Sequence, residues 1–295
     1  MRPTLSRARP VRPALTVLVT SVVIAGCGGG GAAKPTTLSL SIAEQGKAAK
    51  FTVPASAKGG LTHVVLTNSG KQPHGAQLIL VTGGHTVADA VKVLGTKNNN
   101  KTPTWMRAEG GVGTAPPGQS LSATVNLPKG TYAVIDTASL GNGGPSSGAP
   151  PTYTQLKLTG GKRGAIKRQP AHIIGTQTGK DHYAWRISGL KAGTNTVEFT
   201  SKGKQALHLV TAVKLKGNAN PSLDAIKKAL QSNGPPPSYI DPSAIADTAA
   251  LDGGKSLTTS LRLQSGRYVV FCPLTDRDGG KPHFLEGMLA KTTVP

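Results

Sequence analysis

The chain has 295 residues, enough for one or two domains. It carries 34 Lys and Arg against 13 Asp and Glu, a formal charge of +21, with 38 Gly, 22 Pro, 4% aromatic residues and 2 Cys. Two cysteines exclude a disulfide framework, and the turn-rich composition, with Val, Thr and Ile in the ordered runs, favours strands over helices.

Taken in order, the chain opens on a leader. Arg2, Arg7, Arg9 and Arg12 precede an apolar run over residues 14–25. That run is too short to span a bilayer as a stable helix and has the layout of a signal peptide. It ends in Ile24-Ala25-Gly26-Cys27, which resembles the lipobox of bacterial lipoproteins. The resemblance implies that residues 1–26 are removed and that Cys27 is lipidated. The chain is then expected outside the cytoplasm, anchored to the cell membrane by the lipid. The alternative is an ordinary signal peptide with an incidental Cys. Residues 27–37, which begin with a glycine run, read as a flexible tether. With Cys27 taken, Cys272 has no disulfide partner, and a free thiol outside the cell needs burial or metal ligation to escape oxidation.

The rest of the chain repeats itself. Residues 39–158 match residues 172–294 at a nearly constant offset: Phe51 falls on Trp185, Gly59 on Gly193, His74 on His208, Leu121 on Leu257, Gly130 on Gly266 and Tyr132 on Tyr268. Two tandem domains of one fold follow, over residues 38–160 and 171–295, joined by a Gly- and Lys/Arg-rich linker at 161–170. Strands are expected at 49–53 and 183–187, at 63–67 and 196–200, and from His74 to Val81 and His208 to Leu215. A short helix comes next. Thr86 caps the first, with Asp89 three residues on, and Pro221-Ser222 starts the second. A Pro/Gly-rich crossing leads to strands at 121–127 and 257–263. Tight turns enter strands ending at Ile135 and Phe271, and closing strands lie at 154–158 and 289–294. Short strands in this number, with one helical excursion, predict an all-β chain of two tandem Greek-key β-sandwiches.

Repeat two adds His208 on a middle strand, then Gly266-Arg267-Tyr268 leading to Cys272, then His283 and Gly287-Met288 before the closing strand. This resembles the cupredoxin family over about residues 183–294. The resemblance implies one copper ion, with His208 and His283 as imidazole ligands, Cys272 as thiolate and Met288 as weak axial ligand. Two imidazoles, a thiolate and a long thioether make an electron-transfer copper site. One departure stands out: ten residues separate Cys272 from His283, where the family has only a few. A turn at Asp278-Gly279-Gly280 is expected to bring His283 back. Repeat one keeps His74 but has Asp136 in the place of Cys272 and no His, Cys or Met in the following loop, so it is expected to bind no copper in this way. Two other readings remain open: a metal-free binding or structural module on the same fold, and a thiol redox sensor built on Cys272 alone.

Enzyme signatures fail on context. Gly144-Pro145-Ser146-Ser147-Gly148 has the letters of a nucleophile elbow but no helix after it. Gly254-Lys255-Ser256 lacks the earlier glycine of a phosphate loop and precedes a strand. No His-x-His pair is present for additional copper centres, and Asp276 and Asp278 read as turn formers. A non-enzymatic protein for electron transfer or copper handling is therefore expected. The Lys and Arg residues are scattered singly with little aromatic interleaving, which argues against specific nucleic-acid binding. The basic surface suits the anchoring membrane, anionic cell-envelope polymers or an acidic redox partner.

Overall fold

A computed structural model describes residues 33–46, 48–96, 100–140, 151–204, 207–232 and 234–295. The leader, Cys27, most of the tether and the 144–148 stretch lie outside the described residues. Residues 32–295 form one compact unit, and among the described residues it is all-β but for two nine-residue α-helices and two short 3-10 turns.

The duplication is visible in how the strands pair. In repeat one, Thr36–Gln45 runs antiparallel to Ala48–Thr52 and parallel to Gly60–Asn68. In repeat two, Ala171–Gly179 stands in the same way between His182–Ser188 and Gly193–Lys202. Tyr132 and Tyr268, matched in the sequence, are both fully buried. The Tyr132 hydroxyl donates to the Pro128 carbonyl at 2.7 Å, and the Gln264 N–H donates to the Tyr268 hydroxyl at 2.9 Å. Each phenol thus pins the turn four residues before it, giving its one polar atom a partner inside an apolar layer.

The two repeats share a sheet. Lys255–Leu263 pairs with Gly193–Lys202 on one side. On the other it pairs with Ser120–Leu127 of repeat one, through Leu257, Thr258 and Thr259. An eight-stranded sheet therefore runs through both repeats. Facing it, a seven-stranded sheet holds the second layer of repeat one and also takes in Leu207–His208 and Leu251–Asp252 of repeat two. A four-stranded sheet (Ile240–Asp247, Thr211–Leu215, Gly266–Phe271, Leu289–Val294) completes repeat two. One apolar core collects residues from both, among them Val64, Leu78 and Val125 with Val197, Phe199 and Leu257.

Both helices begin as the sequence predicts. Helix α1 (Val87–Gly95) has a full capping box between Thr86 and Asp89, and helix α2 (Leu223–Gln231) is capped by Ser222. Each cap contributes about 1 kcal/mol. Val87, Ala90 and Val91 close one end of repeat one against Ile79, Met106 and Ile135. Ile226 does the same in repeat two against Leu215, Val269 and Phe284.

The structure corrects two expectations. The Pro/Gly-rich crossings contain strands, Met106–Ala115 and Ile240–Asp247. The first has register shifts against His74–Val81, so its side chains do not alternate regularly. The single strand expected from His208 to Leu215 is broken. Leu207–His208 lies in one sheet and Thr211–Leu215 in another. The chain changes sheets at Val210, whose N–H donates to Thr248 Oγ1 and whose carbonyl accepts from the Thr248 N–H.

Polar pairs hold the repeats together. Gln77 exchanges hydrogen bonds with the backbone of Ala250, Asp247 accepts from the backbone and hydroxyl of Thr114, and Lys255 pairs with the buried Glu109. Arg277, only 9% exposed, donates to the carbonyls of Thr102, Pro103 and Met106 and pairs with Asp252, which also accepts from Arg107. The linker is also tied down: the Leu61 N–H donates to Lys162 and the Asn126 side chain pairs with Gly164.

A buried guanidinium that loses its carboxylate keeps its desolvation cost without compensation. Asp252→Ala is therefore expected to destabilise the protein by about 3 kcal/mol, read as a fall in the urea unfolding midpoint, whereas Asp224→Ala on the exposed face of α2 leaves the midpoint nearly unchanged.

Candidate metal centre

Three elements deliver three donor atoms to one place. His208 sits at the end of the two-residue strand Leu207–His208, and Cys272 directly follows the strand Gly266–Phe271. His283 opens the 3-10 turn His283–Leu285 after Pro282. The Nδ1 atoms of His208 and His283 stand 3.2 Å apart, and Cys272 Sγ is 3.6 Å from His283 Nδ1. All three side chains are fully buried, and one ligand atom from each lies within 4.8 Å of the other two.

The ten-residue loop does return His283. It turns one step earlier than expected, at a bridge between Asp276 and Gly279, and the His283 N–H donates to the Leu274 carbonyl at 2.8 Å. The chain then doubles back over the site. The Phe284 N–H donates to the Cys272 carbonyl at 3.0 Å, the Met288 N–H to the His283 carbonyl at 2.8 Å, and the Cys272 N–H to the Met288 carbonyl at 3.1 Å. These bonds fix Cys272, His283 and Met288 relative to one another through the backbone. The Met288 side chain is fully buried and packs in one cluster with Cys272 and Tyr183.

Two glycines make room, Gly175 and the Gly287 that precedes Met288. A Cβ on Gly175 would stand 2.8 Å from the Met288 methyl and 3.0 Å from the His208 ring. Gly287 has a φ of +115°, and a Cβ there would strike the Tyr183 carbonyl. That close approach lets the Tyr183 N–H donate to the Glu286 carbonyl and brings the phenol over the site. Tyr183 stacks on the His283 ring with centroids 4.2 Å apart and meets His208 edge-on. Sequence alone does not mark Tyr183 as covering the site; its packing against a loop distant in the chain reveals it.

The electrostatics follow from burial. Desolvation, then the neighbouring His283, push the His208 imidazole down to about 3. Desolvation also lowers His283, partly offset by Asp276. Burial pushes the Cys272 thiol up to about 12, although the backbone at Leu209 and Leu274 favours the thiolate. Without a metal, the pocket is a neutral one. A thiol sensor needs an accessible, acidified thiol; Cys272 is neither.

The donor set fits a metal on its own geometry. Nitrogen and sulfur donors bind first-row metals at about 2.0–2.3 Å. Donors at such distances, spread by about 105–115° around a common point, stand about 3.2–3.6 Å from each other, as the Nδ1–Nδ1 and Sγ–Nδ1 pairs do. The Nε2 atoms of both imidazoles are buried without a hydrogen-bond partner. Thiolate, two imidazoles and an adjacent thioether are a set that suits copper.

Repeat one shows the same position without that chemistry. His74 Nδ1 lies 2.8 Å from Asp136 Oδ2, where repeat two has His208 and Cys272, and His74 Nε2 lies 3.2 Å from Glu44. Backbone N–H groups, that of Lys71 foremost, hold Glu44 down to about 2. Both ring nitrogens of His74 are thus engaged on opposite sides, and no third ligand joins them among the described residues.

The fold is an all-β sandwich in two repeats. No family model matches the chain, and no curated protein matches it in sequence. Solved structures similar to it include a multicopper oxidase, 13% identical with a TM-score of 0.24, covering 88% of each chain. They also include the reduced auracyanin of Roseiflexus castenholzii, 25% identical with a TM-score of 0.27, covering 42% of this chain and 96% of its own. A copper nitrite reductase from Nitrosomonas europaea is 12% identical with a TM-score of 0.26 and covers 89% of this chain and 94% of its own. At such scores the likeness assigns no activity. It does correct the expectation of a non-enzymatic protein: an oxidase and a reductase stand among the similar structures, and that exclusion is withdrawn.

Two outcomes follow for the metal-free protein. Unfolded histidines take up protons below about pH 6.5, while folded His208 does so only near pH 3. The unfolded state binds more protons in that window, so stability falls as pH drops through it, by up to about 1.4 kcal/mol per pH unit for each such histidine. Urea midpoints measured from pH 7 to pH 4 are expected to show this slope, and His208→Gln to reduce it. Gly175→Ala forces the Met288 methyl and the His208 ring to move. It is expected to weaken copper uptake at least tenfold while the far-ultraviolet circular dichroism stays that of the native protein.

Proposed function

We propose that repeat two holds one copper ion through His208, Cys272, His283 and Met288, for electron transfer or copper handling. The observation that carries this reading is the meeting of two imidazole Nδ1 atoms and a thiol at 3.2 and 3.6 Å in a fully buried pocket. Copper bound there supplies a one-electron couple. The protein's part is to hold the donors still. Their backbones are cross-linked by the hydrogen bonds among Cys272, His283, Phe284 and Met288, so the donor positions change little between oxidation states. A metal-free module would leave the convergence of three fully buried donors without a purpose.

The lipobox-like Ile24-Ala25-Gly26-Cys27 supports a mature protein that begins at lipidated Cys27 and is held outside the cytoplasm at the membrane. The formal charge, +21 for the whole chain and 21 − 4 = +17 without the four leader arginines, supports attraction to that anionic surface, to envelope polymers or to an acidic redox partner.

Copper(II) added to the purified protein is expected to give an intense visible sulfur-to-copper band at one ion per chain, with a raised melting temperature. Cys272→Ser abolishes the band, and His74→Gln in repeat one leaves its intensity and stoichiometry unchanged. A wild-type protein with neither band nor thermal shift refutes the proposal.

A further inference from the structure

We propose that Asp276 is a positioning residue for the metal centre, holding His283 through its Nε2 atom and lowering the reduction potential of the bound copper. The inference rests on the copper reading above. Asp276 lies in the ten-residue stretch that departs from family spacing. Its Oδ1 is 3.4 Å from His283 Nε2. Both atoms are buried, and neither has another hydrogen-bond partner. A metal at His283 Nδ1 obliges the ring proton to sit on Nε2. That N–H then faces Oδ1, and a small rotation satisfies both atoms at once.

The carboxylate is held from two further directions. The Tyr183 hydroxyl donates to Asp276 Oδ2 at 2.6 Å while its ring covers His283. The neighbouring residues fasten the loop to repeat one. Thr275 Oγ1 donates to the Asn100 carbonyl at 2.8 Å, and Arg277 binds the carbonyls of Thr102, Pro103 and Met106 together with Asp252. The backbone that carries Asp276 is thus tied on both sides to repeat one and Asp252. A negative charge fixed behind a ligand makes the imidazole a stronger donor. It favours the more highly charged, oxidised ion over the reduced one.

The test is a redox titration of the copper-loaded full chain, reading the visible band. Asp276→Asn is expected to keep the band and shift the equilibrium about tenfold toward the reduced form, about 59 mV upward for a one-electron couple. Tyr183→Phe is expected to move the potential the other way. It removes the hydroxyl that draws charge from the carboxylate and leaves more for the imidazole. A loosened loop would move both variants in the same direction. Band retained with potentials equal to wild type in both variants, or shifted in the same direction in both, overturns the inference and leaves the copper reading standing. Should Asp276→Asn fail to fold, a Tyr183→Phe potential equal to or above wild type overturns the inference by itself. A wild-type chain that forms no band overturns the copper reading and this inference with it.

Discussion

A guanidinium removed from water must find acceptors for its N–H groups or cost several kcal/mol. Arg277 finds them in both repeats: three carbonyls of the 102–106 segment and the carboxylate of Asp252. Much else depends on that exchange. It fastens the segment between Cys272 and His283 from outside, so a stretch of ten residues rich in Gly and Asp holds one shape. It also makes repeat one a structural participant in a centre to which it contributes no donor. The matching position of repeat one is occupied by ordinary hydrogen bonds, with His74 clamped between Asp136 and Glu44.

The sequence was legible where local rules decide. The strand His74–Val81 and both helix starts follow from apolar patterning and from Thr86, Asp89 and Ser222. The tandem repeat was readable because substitutions preserved glycines and tyrosines with fixed duties, such as Tyr132 and Tyr268. The crossing strand Met106–Ala115 was not legible: two register shifts break its alternation, and its glycine run looks like a loop. Nor was the break after His208, which is set by a threonine forty residues on. The four candidate ligands were readable through resemblance. Their surroundings were not, because Gly175, Tyr183 and Asp276 matter only through neighbours distant in the chain.

Burial and reactivity pull in opposite directions at Cys272. Burial keeps the Cys272 thiol protonated and inert, which protects it from oxidation. A metal ion would displace the thiol proton and accept lone pairs that otherwise face each other.

The shared sheet has a consequence beyond holding two halves together. A sandwich standing alone ends in strands whose backbone groups face water and can recruit the edge of another molecule. Here Ser120–Leu127 and Lys255–Leu263 spend those groups on one another at Ala123 to Val125 and Leu257 to Thr259. The strands that would have been edges sit instead in the middle of the largest sheet. Tandem duplication has in this way removed two edges, one from each repeat, at which another molecule could pair.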